Sequence, residues 1–178
     1  MMNLDPRPIA NAMLDLADQR EIDVTNFSLN KILYFAHAER MVFCGNPLFS
    51  LTFEAWKHGP VLPVIYHQFK SCGAQPIRQR ATEICMKSGI DLVVQYDKSS
   101  LDFEFLGDVI SRYGSMSHAA LYALSHEENG AWCKVWNSKS DQFGMTIPNS
   151  LIVETFKGEV RGSLKRRAGG EAGSRYVN

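Results

Sequence analysis

Apolar residues recur along most of this chain at helical spacing, and that spacing predicts a mainly α fold. Over residues 6–20, Ile9, Met13, Leu16 and Ala17 fall three or four apart, the mark of an amphipathic helix. Asp5 can cap it, and Pro6 and Pro8 suit a first turn whose N–H groups have no helical acceptors. The strongest element comes next. From about 28 to 44, Leu29, Ile32, Leu33, Phe35, Ala36, Met41 and Phe43 leave little polar surface in its first half, as expected of a helix enclosed by the rest of the fold. Gly45 suits the position after its last turn, and Pro47 prevents continuation. Over 48–56 the period changes to two, with Phe49, Leu51, Phe53 and Ala55 alternating with Ser50, Thr52 and Glu54, which predicts a strand. A turn at Lys57-His58-Gly59-Pro60 then leads to a helix over 60–72 with Leu62, Ile65, Tyr66 and Phe69 on its apolar face. The pattern blurs over 74–97, where Pro76, Gly89 and Leu92-Val93-Val94 suggest a loop and one or two strands. A helix over 99–113, capped by Ser99 or Ser100, carries Leu101, Phe105, Val109 and Tyr113 four apart and ends at Gly114. Another starts after Ser115 or Ser117 and runs to about 126, a short helical piece covers 131–136, and residues 149–156 close the folded part. The expected class is α+β, mainly α with a small β element: a compact helical bundle around the central helix.

A chain of 178 residues is the size of one domain and can bury an adequate core without metals or disulfides. The formal net charge is zero, so the chain as a whole is no trap for nucleic acid or anionic membrane. The charge is uneven, however. From 157 onward there are six bases against two acids in a Gly-, Arg- and Ala-rich stretch. The expected division is a domain over 1–158 and a flexible basic tail over 159–178, the tail being the one route to nucleic acid. Cys44, Cys72, Cys85 and Cys133 form no CxxC pair, Asp5, Asp15 and Asp18 interrupt any signal-like stretch, and no apolar run is long enough to span a bilayer. These features predict a cytoplasmic protein with reduced thiols and no membrane association.

The chemistry-bearing patterns are sparse. There is no GxxxxGK[ST], and the glycine-rich stretch at 169–173 has no strand before it to support a phosphate loop. His37, His58, His67, His118 and His126 form no HExxH and combine with the cysteines at no familiar ligand spacing, so neither metal nor cofactor is expected. No GxSxG appears, and His126-Glu127-Glu128 reads as a helix end meeting solvent before it reads as a catalytic base. A helix-turn-helix near Gly114 would need a reading helix, but residues 116–122 contain no Arg or Lys.

One stretch is unusually dense: Phe53-Glu54-Ala55-Trp56-Lys57-His58-Gly59-Pro60-Val61-Leu62-Pro63-Val64-Ile65-Tyr66. It resembles the central signature of the Panacea-domain family, the SocA-like antitoxins, also known as phage-associated GepA-type proteins. That signature is an acidic residue, a Trp, a basic or aromatic pair, Gly-Pro-Val, a second Pro and a Tyr, here Glu54, Trp56, Lys57 with His58, Gly59-Pro60-Val61, Pro63 and Tyr66. Upstream, Leu29-Asn30-Lys31-Ile32-Leu33-Tyr34-Phe35-Ala36-His37 resembles the family's Leu-x-Lys-Leu-Leu-Tyr-Tyr helix, and Gly45-Asn46-Pro47-Leu48-Phe49 resembles its Gly-x-Pro-Leu-Phe turn. Downstream, a second signature is formed by Tyr113-Gly114, His126-Glu127 and Trp132, with Ala131 where the family has Pro. The resemblance implies an antitoxin that binds a protein toxin encoded by an adjacent gene, with no catalytic residue and no cofactor; the chain is then not an enzyme. Two other functions compete with it: an adaptor that delivers a bound partner to protease machinery, and a small hydrolase or metal enzyme. The signature residues are expected to hold the fold or to touch the toxin. Trp56 should be wedged between its strand and the following helix, Lys57 and His58 should point outward, and Glu54 should cap a backbone donor or pair with Lys31 or Lys57.

Overall fold

The computed structural model describes residues 5–138 and 145–156. The expected basic tail, 159–178, lies outside them. The chain is mainly helical with a small sheet, as its periodicity predicts. Helix α1 (Arg7–Gln19) buries Ile9, Ala10, Met13, Leu14 and Leu16. Asp5 accepts a hydrogen bond from the Arg7 backbone N–H at 3.0 Å, satisfying a donor of the first turn. Helix α2 (Asn26–Cys44) is buried almost continuously from Asn26 to Glu39. It opens with a reciprocal Thr25–Ser28 capping box and closes on Gly45 at φ 73°, a left-handed conformation that glycine adopts without Cβ strain.

After α2 the chain forms strand β1 (Phe53–Trp56), a two-residue turn at Lys57 and His58, and strand β2 (Gly59–Val61). The expected long strand over 48–56 is therefore confined to its last four residues; Phe49 is buried as the alternation implies, but Leu51 is exposed. The helix expected over 60–72 is shorter too. Gly59-Pro60-Val61 folds back on β1, with Pro60 opposite Ala55. Proline is acceptable there because β2 is an edge strand, in the order β2-β1-β5. Helix α3 (Pro63–Phe69) follows, then a 3₁₀ turn (Lys70–Cys72).

The blurred segment 74–97 contains an antiparallel hairpin, β3 (Thr82–Ile84) with β4 (Asp91–Val93). Its strands leave Ile84, Leu92 and Val93 exposed, so neither face gave the sequence a clear alternation. Helix α4 (Phe103–Val109) starts two or three residues later than the serine caps suggest. Asp102 supplies the cap by accepting from the Phe105 N–H, while Ser99 belongs to a preceding 3₁₀ turn capped by Asp97. α4 runs into a π-helical turn (Ile110–Gly114). Helix α5 (His118–Ser125) is capped by Ser117, and α6 (Ala131–Asn137) packs on the sheet. Strand β5 (Met145–Ile147), absent from the sequence reading, pairs antiparallel with β1, and residues 149–156 are helical.

Two buried polar side chains fix the outer elements to the helical core. Asn11 of α1 donates to the carbonyls of Ala81 and Val94 at 3.1 and 2.8 Å and accepts from the Ala81 N–H at 2.7 Å. It thereby closes the base of the β3–β4 hairpin. Glu39 of α2, 3% exposed, accepts two parallel bonds from Arg112 at 2.7 and 2.6 Å and a third from the Tyr113 hydroxyl at 2.6 Å. Both donors come from the π turn.

A two-stranded hairpin with little buried surface has marginal stability of its own. Asn11→Ala leaves buried hairpin backbone groups without partners, at about 1–3 kcal/mol for each group left unsatisfied. We expect an overall loss of about 2–4 kcal/mol in chemical denaturation. Amide exchange should accelerate first over residues 81–94, and uniform acceleration along the chain would refute the local role of Asn11.

Candidate partner-binding site

The β1–β2 turn, the first two turns of α2, and α3 with its following 3₁₀ turn enclose an open groove of about 380 Å³. α2 contributes Asn26, Phe27, Asn30 and Lys31; the hairpin contributes Trp56, Lys57, His58 and Val61; Tyr66, Lys70 and Gly73 form the far wall. Three polar residues of α2 hold this frame together through the backbone. Lys31 donates to the Pro60 carbonyl at 3.0 Å, Asn30 accepts from the Leu62 N–H at 2.9 Å, and Asn26 donates to the Tyr66 carbonyl at 3.0 Å. Asn30 also donates back to the Asn26 carbonyl at 2.9 Å, which fixes its orientation.

Lys31 is the most unusual of these residues. It is 1% exposed, and its burial pushes its pKa down to about 7. Its ammonium also lies 4.9 Å from the centre of the Phe27 ring, a cation–π contact. The shape of the hairpin depends on this lysine. Gly59 sits at φ 102°, and a Cβ there would fall 2.7 Å from Lys31 Cε, 2.8 Å from its Nζ and 2.9 Å from His126 Cε1. Glycine at 59 is thus required twice, by its dihedral and by the close approach of two side chains.

The signature residues divide by position. Trp56 is half-buried on the outer face of β1, meeting Tyr66 edge-on at 4.9 Å between ring centroids. It touches the following helix as expected but is not wedged into the core; Phe53 and Ala55 take the inward positions. Glu54 pairs with neither Lys31 nor Lys57. It accepts the Trp56 indole N–H at 2.7 Å and so sets the ring's orientation. Lys57 and His58 are exposed at the groove rim. Tyr66, predicted to lie on the apolar face of its helix, instead leaves 36% of its surface exposed to the groove, because α3 turns Ile65 and Phe69 to the core. Pro63 occupies the first turn of α3.

The second signature is split. Trp132 donates its indole N–H to the Trp56 carbonyl at 2.9 Å, bracing the hairpin from behind. His126 stacks on Tyr122 at 3.7 Å and meets Trp132 at 3.9 Å. Burial pushes its pKa down and the nearby Lys31 charge adds to this, opposed by the Tyr122 carbonyl. Glu127 is exposed, and its carbonyl accepts from the Gly130 N–H at 2.9 Å. Tyr113 belongs to the Glu39 cluster, eight residues along α2 from Lys31 or about 12 Å at 1.5 Å per residue, and Gly114 ends the same π turn against Ile22. Sequence reasoning missed Asn26, Phe27, Asn30, Lys31 and Lys70 as groove residues. A signal for Lys31 was present, a lysine inside the most uniformly apolar helix of the chain.

The match to known proteins falls on this frame. A family model described as antitoxin SocA-like, Panacea domain, matches residues 29–133. The chain belongs to the SocA-like, Panacea-domain antitoxin family. Antitoxin SocA of Caulobacter vibrioides (strain NA1000 / CB15N) is 36% identical to it over 157 residues, which is 87% of this chain and 84% of that protein. No solved structure matches the chain. The family's matched segment contains Lys31, the whole β1–β2 hairpin, α3 and the bracing residues His126 and Trp132. Among the described residues no helix is long and apolar enough to cross a membrane, and no group of three or more His, Cys, Asp or Glu is placed to hold a metal ion.

The buried lysine makes stability depend on pH in a defined direction. Its folded pKa lies below the ordinary value of 10.5, so between about pH 7 and 10.5 the unfolded chain holds the extra proton and stability rises with pH. Below pH 7 the cost of burying the charge is felt in full. Lys31→Met removes that cost. The Met variant also leaves the Pro60 carbonyl unpaired, so below pH 7 the two effects oppose each other, and we expect its stability to stay nearly flat between about pH 7 and 10.5 where the wild type's rises. Urea denaturation of both proteins across that range reads the difference, and parallel pH profiles would contradict it.

Proposed function

We propose that this chain neutralises a protein toxin encoded by an adjacent gene by binding it directly, and that the groove forms part of the contact surface. The observation that carries this reading is the position of the family's segment: it supplies all of the groove lining except Asn26 and Phe27 and leaves part of its aromatic signature in solvent. Trp56 and Tyr66 present ring surface on a rigid frame, the arrangement of anchor residues in protein interfaces. Lys57 and His58 stand beside them on a two-residue turn that the sheet, Lys31 and Trp132 hold in place. Occluding a toxin requires such a surface and no bond-making step.

The test is co-expression with the adjacent gene's product, scored by growth and by the toxin's half-life. The chain alone should be harmless and should restore growth when paired with the toxin; growth arrest by the chain alone would reverse the roles. An unchanged toxin half-life supports neutralisation by occlusion, whereas a shortened one identifies an adaptor that delivers its partner to a protease. Lys57→Ala and His58→Ala should each alter stability by no more than about 0.5 kcal/mol, as at most exposed sites. Each should weaken toxin binding roughly 5- to 30-fold if the turn is a contact. Trp56→Ala should cost about 1–2 kcal/mol of stability, less than a fully buried ring, and lose more affinity than either. Full rescue by all three variants would move the contact surface elsewhere.

A further inference from the structure

We propose that the groove recognises an acidic side chain of its protein partner, a glutamate or aspartate seated over Lys31 between Phe27, Trp56 and Tyr66. This rests on the reading of the groove as a contact surface and specifies what the groove reads. A buried ammonium ordinarily has a carboxylate beside it, because an isolated charge is costly to remove from water. Lys31 has none among the described residues: the acceptor it meets is the neutral Pro60 carbonyl, backed by the Phe27 ring. It lines an open groove instead of a sealed core. The other charged or titratable lining groups are Lys57, His58, Lys70 and Tyr66, and no Asp or Glu lines the groove. The signature carboxylate Glu54 accepts from the Trp56 indole. An acidic group flanked by apolar surface therefore meets both complementary charge and aromatic walls.

A side-chain carboxylate fits better than a chain end. Terminal carboxylates are captured by clustered backbone N–H groups. Here the candidates are spent, the Leu62 N–H on Asn30 and the Ile65 and Tyr66 N–H groups on the Leu62 carbonyl. Around Lys31 the facing titratable groups are His58 and Lys57 from the turn and His126 from the end of α5. A bound carboxylate favours the protonated form of Lys31, so binding takes up protons and weakens as pH rises through and above about 7.

The probe is acetyl-Trp-Glu-Trp-amide, titrated into the full chain while the Lys31 ammonium and Trp56 indole signals are followed by NMR. The expected result is at least tenfold tighter binding than the glutamine analogue, with a Lys31 titration midpoint raised by about one unit or more; that preference is worth about 1.4 kcal/mol. Lys31→Met, shown by melting to be folded, should lose the preference for glutamate and its pH dependence. Lys31→Arg, which keeps the charge, tests the same point should the Met variant unfold, and it should retain part of the preference. Equal binding of the two peptides, or no response from either, would overturn the proposal. So would equally tight binding of acetyl-Trp-Gln-Trp with a free carboxylate, which would make the groove a reader of chain ends. Failure here leaves direct neutralisation standing if the wild-type chain and Lys31→Met rescue growth equally. Binding of the glutamate peptide by a chain that rescues nothing would instead retain the site and remove the antitoxin reading.

Discussion

The placement of the hairpin depends on a short polar stripe within the most buried helix. Asn26, Asn30 and Lys31 occupy a face of α2 that an apolar helix would give to leucine, and each reaches a backbone group of the segment from Pro60 to Tyr66. Burying such groups is unfavourable unless they are paired, and unpairing any of them leaves a buried polar atom on each side. The segment is therefore held at three points along its length, which sets the angle at which the β1–β2 turn projects. Trp132 adds a fourth restraint from the opposite side through the Trp56 carbonyl. The bonds from α2 and from Trp132 are made to backbone atoms, so the side chains of Trp56, Lys57, His58 and Tyr66 take no part in them.

The other buried polar groups behave differently. His37 is fully enclosed, bonded to Asn149 at 3.1 Å and stacked on Phe49 at 4.6 Å, and its burial pushes its pKa down to about 4. It is neutral near pH 7 and serves as packing with one polar tie. Below its ordinary value of 6.5 the unfolded chain gains a proton that the folded one refuses, so stability is lost as pH falls toward 4. Glu39 is charged and satisfied by three donors. Lys31 differs from both in lining an opening.

The helical frame was legible in the sequence because its signals are local. Gly45 marks the end of α2 by cap chemistry and the apolar run before it fixes its burial, while the Thr25 cap at its start went unread. Ser117 caps α5 as its position suggests, whereas α6 starts after Gly130 with no side-chain cap. The failures lie where pairing across the chain overrides local pattern. Pro60 reads as the start of a helix, yet Ala55 opposite it makes it a strand residue. Met145-Thr146-Ile147 is too short to signal a strand and becomes one by meeting β1 about ninety residues away in sequence. The caps read at Ser99 or Ser100 lie too early, because Asp102 is the residue that accepts from the Phe105 N–H. Of the candidate site, the exposed turn and its aromatic neighbours were readable as a motif. The groove itself was not, because its floor comes from α2, whose polar residues look like interruptions of an apolar pattern until their backbone partners are known.

The π turn at Ile110–Gly114 ties chain length to charge. A π turn holds one residue more than the regular helix it interrupts, and here that residue lets the adjacent Arg112 and Tyr113 both face Glu39. Deleting one residue would restore an ordinary helix and rotate everything beyond it by about 100°. Glu39 would then be left with its charge in the core and its donors displaced. An insertion elsewhere in α4 would fail in the opposite sense. Relatives that lack the extra residue should therefore also lack the acid at the position of Glu39, the two changes being tolerable together and harmful apart.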